Sequence, residues 1–191
     1  FIRVLYEDAD GLIWIGTNVG VYIYNPETEN FRKFDVATER GDVISREVSS
    51  IKCDSSGDLW IGVNWQGVFR YDRRDESLEL YEPVPGDTTS LSSVHVWDLC
   101  FDGDGNLWVG SQNGGLDRYD RETDRFVRHR LKGLSDVSRI VLDKQNQLLL
   151  GTMKDGLFSF NPYMGTCQPL LLDSGHKDLF VRAIFVRNSR E

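Results

Sequence analysis

One phrase occurs four times in this chain, as Leu12-Ile13-Trp14-Ile15-Gly16, Leu59-Trp60-Ile61-Gly62, Leu107-Trp108-Val109-Gly110 and, with the tryptophan lost, Leu148-Leu149-Leu150-Gly151. Positions 14, 60, 108 and 149 anchor it, 46, 48 and 41 residues apart. Self-similarity at a period of about 40 to 50 residues means that one supersecondary unit has been copied, so the chain must fold as an array.

The agreement extends over whole units. Six residues before each anchor stands an acid, Asp8, Asp54, Asp102 or Asp143; nine before is Leu5, Ile51, Leu99 or Ile140, and twelve before is Ile2, Val48, Val96 or Val137. After each anchor a glycine opens a second apolar run, at Gly20, Gly67, Gly115 and Gly156. The copies divide the chain at 1–40, 41–86, 87–132 and 133–173, and Val181 and Ile184 begin a fifth in 174–191.

Each unit contains four short apolar runs; in the third they are Val94 to Phe101, Leu107 to Ser111, Gly115 to Tyr119 and Arg125 to Arg130. Runs rich in Val, Ile, Trp, Tyr and Phe, bounded by Gly, Asp and Asn, read as strands joined by hairpins. No helical period of comparable length competes. Four strands per repeat predict an all-β fold, a β-propeller with four blades and the first strand of a fifth. The first hairpin of each unit ends in Gly11, Gly57, Gly105 or Asn146, the residue types that accept a positive φ, and its leading Asp can accept the turn's own amides. The following tryptophans are expected to pack between blades.

The chemistry available is limited. Thirty acidic residues against 22 basic ones give a net charge of −8, with no basic cluster to track a phosphate backbone, so direct nucleic-acid binding is not expected. No run is apolar enough, at about 20 residues, to span a bilayer. Cys53, Cys100 and Cys167 fall in predicted strands, without zinc spacing, and read as small hydrophobes. Asp102-Gly103-Asp104-Gly105-Asn106 opens like an EF-hand loop, but Leu107 and Asn113 stand where that loop needs Gly and a bidentate Glu. No metal or cofactor is expected, and no catalytic motif is present; His95, His129 and His176 occupy three different repeat positions.

The third copy, through Gly105-Asn106-Leu107-Trp108-Val109-Gly110-Ser111, Gly114-Gly115-Leu116-Asp117-Arg118-Tyr119-Asp120 and Thr123-Asp124-Arg125-Phe126, resembles the two-component regulator propeller repeat. The resemblance covers nearly the whole chain. It implies a fragment of a seven-bladed propeller, the extracytoplasmic, periplasmic sensor of an inner-membrane hybrid histidine kinase/response regulator that controls polysaccharide use in Bacteroidetes-type bacteria. It also implies a sensor without catalytic residues. Four and a fraction blades do not close such a ring, so the expected partners are the remaining blades and domains of a parent chain, or a second copy in a homodimer.

Function in such an array is expected where the repeat is broken, in the loops between second and third strands and between blades. The ligand-binding candidates are Asn64, Trp65 and Gln66, where siblings have Asn18-Val19, Gln112-Asn113 or Lys154-Asp155; the innermost-strand approaches Arg46, His95 and Trp97; and Gln112, Asn113 and Lys154 themselves. Trp65 leads, because an indole in a polar, Gly-flanked loop offers an apolar plane to a sugar ring, with amides beside it for hydroxyls. The alternative for Trp65 is an indole folded onto a neighbouring blade. An oligosaccharide, or another small ligand, is therefore the expected partner of this face. A propeller enzyme resembling streptogramin lyase and a protein-interaction scaffold are the competing readings.

Overall fold

Alternating strands and turns produce sixteen strands in four antiparallel sheets in a computed structural model that describes residues 1–131, 134, 136–170 and 180–186. The first sheet holds β1 (Ile2–Glu7), β2 (Ile13–Thr17), β3 (Gly20–Asn25) and β4 (Asn30–Lys33). The second holds β5 (Val48–Cys53), β6 (Leu59–Val63), β7 (Gly67–Asp72) and β8 (Ser77–Tyr81). The third holds β9 (Val96–Phe101), β10 (Leu107–Ser111), β11 (Gly115–Asp120) and β12 (Arg125–His129), and the fourth β13 (Arg139–Leu142), β14 (Leu148–Gly151), β15 (Leu157–Asn161) and β16 (Thr166–Pro169). Strands within a sheet follow chain order, and β1, β5, β9 and β13 lie side by side as the innermost strands, an arrangement of propeller blades.

Hairpin chemistry places the turns where the residues require. Gly11, Gly57 and Gly105 have φ of 75°, 93° and 81°, and Asn146 has 58°. The leading carboxylate caps the same turn: Asp54 Oδ1 accepts Ser56 N at 2.8 Å and Asp58 N at 3.1 Å, and Asp143 Oδ1 accepts Gln145 N and Gln147 N, both at 2.8 Å.

The turn amides do not account for the whole acid, because its second oxygen holds the anchor tryptophan. Trp14 Nε1 donates to Asp8 Oδ2 at 2.7 Å, Trp60 Nε1 to Asp54 Oδ2 at 3.0 Å and Trp108 Nε1 to Asp102 Oδ2 at 2.8 Å. An arginine of the next sheet reaches the same oxygen: Arg73 lies 3.3 Å from Asp8 Oδ2 and Arg121 2.8 Å from Asp54 Oδ2. At the corresponding place in the fourth sheet the residue is Pro162, so Asp102 receives no such arginine. Burial opposes the charge on Asp54, but the bonds from Arg121, Trp60 and the two amides outweigh it and hold its pKa below the ordinary carboxylate value.

Packing between sheets explains the last letter of the repeated phrase. A Cβ at Gly16, Gly62, Gly110 or Gly151 would lie 2.7, 2.9, 2.8 or 2.8 Å from a methyl of Val48, Val96, Val137 or Val181, each of the next unit. The aliphatic twelve residues before one anchor thus seats on the glycine of the preceding sheet. Three apolar clusters follow, each straddling two successive sheets: one contains Trp14 with Ile51, Ile61 and Phe69, the next Trp60 with Val96, Leu99 and Tyr119, and the third Trp108 with Ile140, Leu150 and Phe160. Residues 180–186 take the same seat on the fourth sheet without being a strand, through Val181 N donating to Thr152 O at 3.0 Å and Ser138 Oγ to Val181 O at 3.0 Å.

Gly67 opens β7 at φ 115°, and a Cβ there would stand 2.3 Å from the backbone oxygen of Tyr81. Gly67→Ala is expected to cost on the order of 2 kcal/mol or more, through strain at a positive φ and displacement of a strand carbonyl. Gly57→Ala, at φ 93° with open space around it, should cost less. Urea midpoints of the two variants check the difference.

Candidate functional site at the seam of the second and third sheets

The loop that breaks the repeat, Asn64-Trp65-Gln66, is fastened on both sides. Asn64 N donates to Glu47 O at 2.8 Å within its own unit, and Trp65 N donates to Val94 O at 2.9 Å across the seam. These bonds hold Trp65 at φ 69°, a conformation unusual for an aromatic residue, while leaving its side chain 60% exposed. The indole leans on the neighbouring unit but remains largely exposed. It meets the His95 ring edge to face, with centroids 4.0 Å apart and planes at 81°.

The surrounding polar groups divide into props and open groups. Asn64 is only 8% exposed and its Oδ1 lies 3.3 Å from His95 Nδ1, so it orients the histidine that supports the indole. Gln66 is consumed by the loop: its Oε1 accepts Ser45 N at 3.1 Å and Arg46 N at 3.2 Å, and its Nε2 donates to Val43 O at 3.0 Å. It thereby draws the approach to β5 against the Trp65 turn. Arg46 is exposed there, its carbonyl accepting Gly20 N at 3.1 Å. Glu47 is paired with Arg3 at 3.1 Å.

Five of the candidates, Arg46, Asn64, Trp65, Gln66 and His95, therefore form one patch. Gln112 adjoins it, its N donating to His95 O at 3.0 Å. Asn113 is exposed at φ 57° and belongs to the next seam, where its N donates to Asp136 Oδ1 at 2.9 Å. Lys154 is exposed one unit further on. Trp97 sits at the irregular step of β9 between Val96 and Asp98, half-buried, with Nε1 buried and unpaired.

Other polar groups that the repeat pattern did not single out line the inner strands. Asp98 accepts Ser50 Oγ at 3.0 Å and Ile140 N at 3.0 Å, tying β5, β9 and β13 together; burial pushes its pKa up against those bonds. His129 packs on Trp108 and Phe160, with centroids 4.9 and 5.6 Å away, and burial with Arg118 nearby lowers its pKa. It is a packing residue of an outer strand, while His176 lies outside the described residues.

No metal chemistry is assembled: among the described residues no three His, Cys, Asp or Glu side chains gather to hold an ion. Asp102, of the calcium-like segment, spends its oxygens on Asp104 N, Asn106 and Trp108. Of the cysteines only Cys100 is buried, its thiol pushed up to about 11, and Cys53 and Cys167 are half-buried.

The fold and this seam define a propeller-type repeat protein. The sequence is similar to the two component regulator propeller family over residues 1–19 and 90–113. The structure superposes on the extracellular domain of the hybrid two component system BT4673 from B. thetaiotaomicron, with a TM-score of 0.76 and 23% identity over 92% of this chain and 25% of that one. The extracellular domain of BT3049 from the same organism gives a TM-score of 0.74 and 24% identity over 87% of this chain and 23% of that one. Virginiamycin B lyase from Staphylococcus aureus gives 0.70 and 13% identity over 91% of this chain and 56% of that one. The chain thus spans about a quarter of the first two proteins. No curated protein matches it in sequence.

Proposed function

We propose that this chain is part of the extracytoplasmic sensor propeller of a two-component signalling protein, and that the Trp65 patch binds an oligosaccharide. The observation that carries the ligand reading is Trp65: a large aromatic plane left open to solvent, on a backbone held at positive φ and propped by His95. Strained residues that surrounding bonds over-determine concentrate at ligand clamps. The superposed proteins named as extracellular domains of two component systems support the location and the role. A seven-bladed ring completed by the rest of a parent chain would cover Ile2, Leu5 and Phe31, which are 64%, 62% and 60% exposed on the first sheet. Polysaccharide-use genes are the proposed output.

The lyase-like reading needs an acid/base pair at the rim, and the ring nitrogen of His95 described above faces an amide, Asn64, instead of a carboxylate. Calorimetry against a glycan panel tests the sensor reading. Trp65→Ala is expected to weaken glycan binding about ten-fold or more, the equivalent of 1.4 kcal/mol, while leaving the urea midpoint nearly unchanged because the ring is exposed. Unaltered glycan affinity in that variant would remove Trp65 from the site.

A further inference from the structure

The patch carries a charge opposite to that of the protein. The chain has a net charge of −8, yet the segments that build the patch, 43–47, 64–66 and 94–97, contain only Arg46, Glu47 and His95 as charged or titratable groups. Glu47 is neutralised by Arg3 at 3.1 Å. Arg46, in contrast, is exposed, and its guanidinium carries no hydrogen bond or ion pair among the described residues. Most of the other arginines are committed: Arg70 to Asp58, Arg73 to Asp8 and Asp10, Arg121 to Asp54, Arg128 to backbone carbonyls.

Position as well as charge sets Arg46 apart. Gln66, the residue after Trp65, binds the Arg46 amide directly, so the backbone that carries the free guanidinium is stitched to the turn that carries the indole. An indole on one side of the Gln66 tie and a guanidinium on the other offer two complementary contacts to an extended ligand. The indole takes the apolar face of a sugar ring, and the planar fork takes a carboxylate through two parallel hydrogen bonds.

We infer that the ligand of this site is an acidic saccharide, a uronate-containing chain whose carboxylate pairs with Arg46 while an adjoining ring stacks on Trp65. This deepens the oligosaccharide reading and rests on it. The guanidinium matches the flat carboxylate better than an uncharged hydroxymethyl, so discrimination lies in the charged group and is sensitive to salt.

The test is calorimetry with the 191-residue chain on oligogalacturonate, oligoalginate and hyaluronan fragments, each beside its carboxyl-reduced, uncharged counterpart, with a chondroitin sulfate fragment as the sulfate arm. At least one acid form is expected to bind about ten-fold or more tightly than its reduced form, with the preference shrinking as salt rises. Arg46→Gln should abolish the preference without changing the urea midpoint, and Trp65→Ala should weaken both forms. Equal binding of acid and reduced forms, or a preference that survives in Arg46→Gln, overturns the acidic-ligand inference and leaves the saccharide reading standing. Binding confined to the sulfated fragment overturns the choice of carboxylate. Binding of no glycan overturns the saccharide reading itself, and binding indifferent to Trp65→Ala removes Trp65 from the site and overturns its pairing with Arg46.

Discussion

Replacing Trp60 with alanine is expected to remove about 3–5 kcal/mol of stability, the cost of emptying a buried tryptophan site. Trp60 is wholly inaccessible and lies in the cluster joining the second and third sheets, stacked on Tyr81 at 5.8 Å and tilted against Tyr119 at 4.7 Å. The Arg70 guanidinium covers the ring 5.7 Å from its centroid. Its loss also strips Asp54 of the indole bond, though Arg121 still reaches that carboxylate at 2.8 Å. Trp60→Phe separates the contributions in part, since it keeps a six-membered aromatic ring while deleting the indole donor and some of the ring volume. That change should cost about 1–3 kcal/mol, from a lost bond to a buried charged acceptor with one partner remaining and from the gap left by the smaller ring. Urea unfolding of both variants provides the check. A loss of under about 1 kcal/mol for alanine would mean that the sheets do not depend on this contact.

The repeat made most of the architecture legible because each of its positions answers a local rule. Gly11 and Asn146 close turns that need positive φ, and the Leu-Trp-Ile-Gly runs are apolar throughout, as befits strands buried on both faces, which β6 and β10 are. The meaning of the final glycine was hidden, since it depends on how far the next unit's valine reaches across a seam, a distance no single unit encodes. Arg73 and Arg121 were hidden for the same reason: each serves an aspartate in the preceding unit. Val94 was expected to begin a strand, but its carbonyl is taken by Trp65 across the seam and β9 starts at Val96. At the candidate site, the departure of Trp65 from its siblings was visible in sequence. The division between props and open groups was not, because Gln66 looks as free as Arg46 until the backbone of 43–46 is seen folded over its amide.

A second departure from the repeat, Asp117, leads to a pH-dependent result. Its siblings are Tyr22, Phe69 and Phe158, yet here a carboxyl is fully buried in β11. Asp117 Oδ2 accepts Ser92 N at 2.9 Å and Ser92 Oγ at 2.6 Å, whereas Oδ1 has no partner. Burial pushes its pKa up to about 6, with the two bonds from Ser92 and the charge of Arg128 opposing the rise. Between the unfolded value of about 4 and about 6 the folded protein retains a proton that the unfolded chain has lost, so this group's contribution falls as pH rises. Its effect is neutral below about pH 4 and reaches a penalty on the order of 3 kcal/mol above about pH 6, two pKa shifts of one unit each being worth about 1.4 kcal/mol apiece. Asp117→Asn keeps the shape and an oxygen for Ser92 but cannot ionise. Relative to the parent chain, the variant is therefore expected to gain about 3 kcal/mol on going from pH 4 to pH 7.5. Because every other carboxylate titrates in both proteins, their contributions cancel in the difference between the two urea curves. A difference that stays constant over this range would show that Asp117 does not hold its proton in the fold.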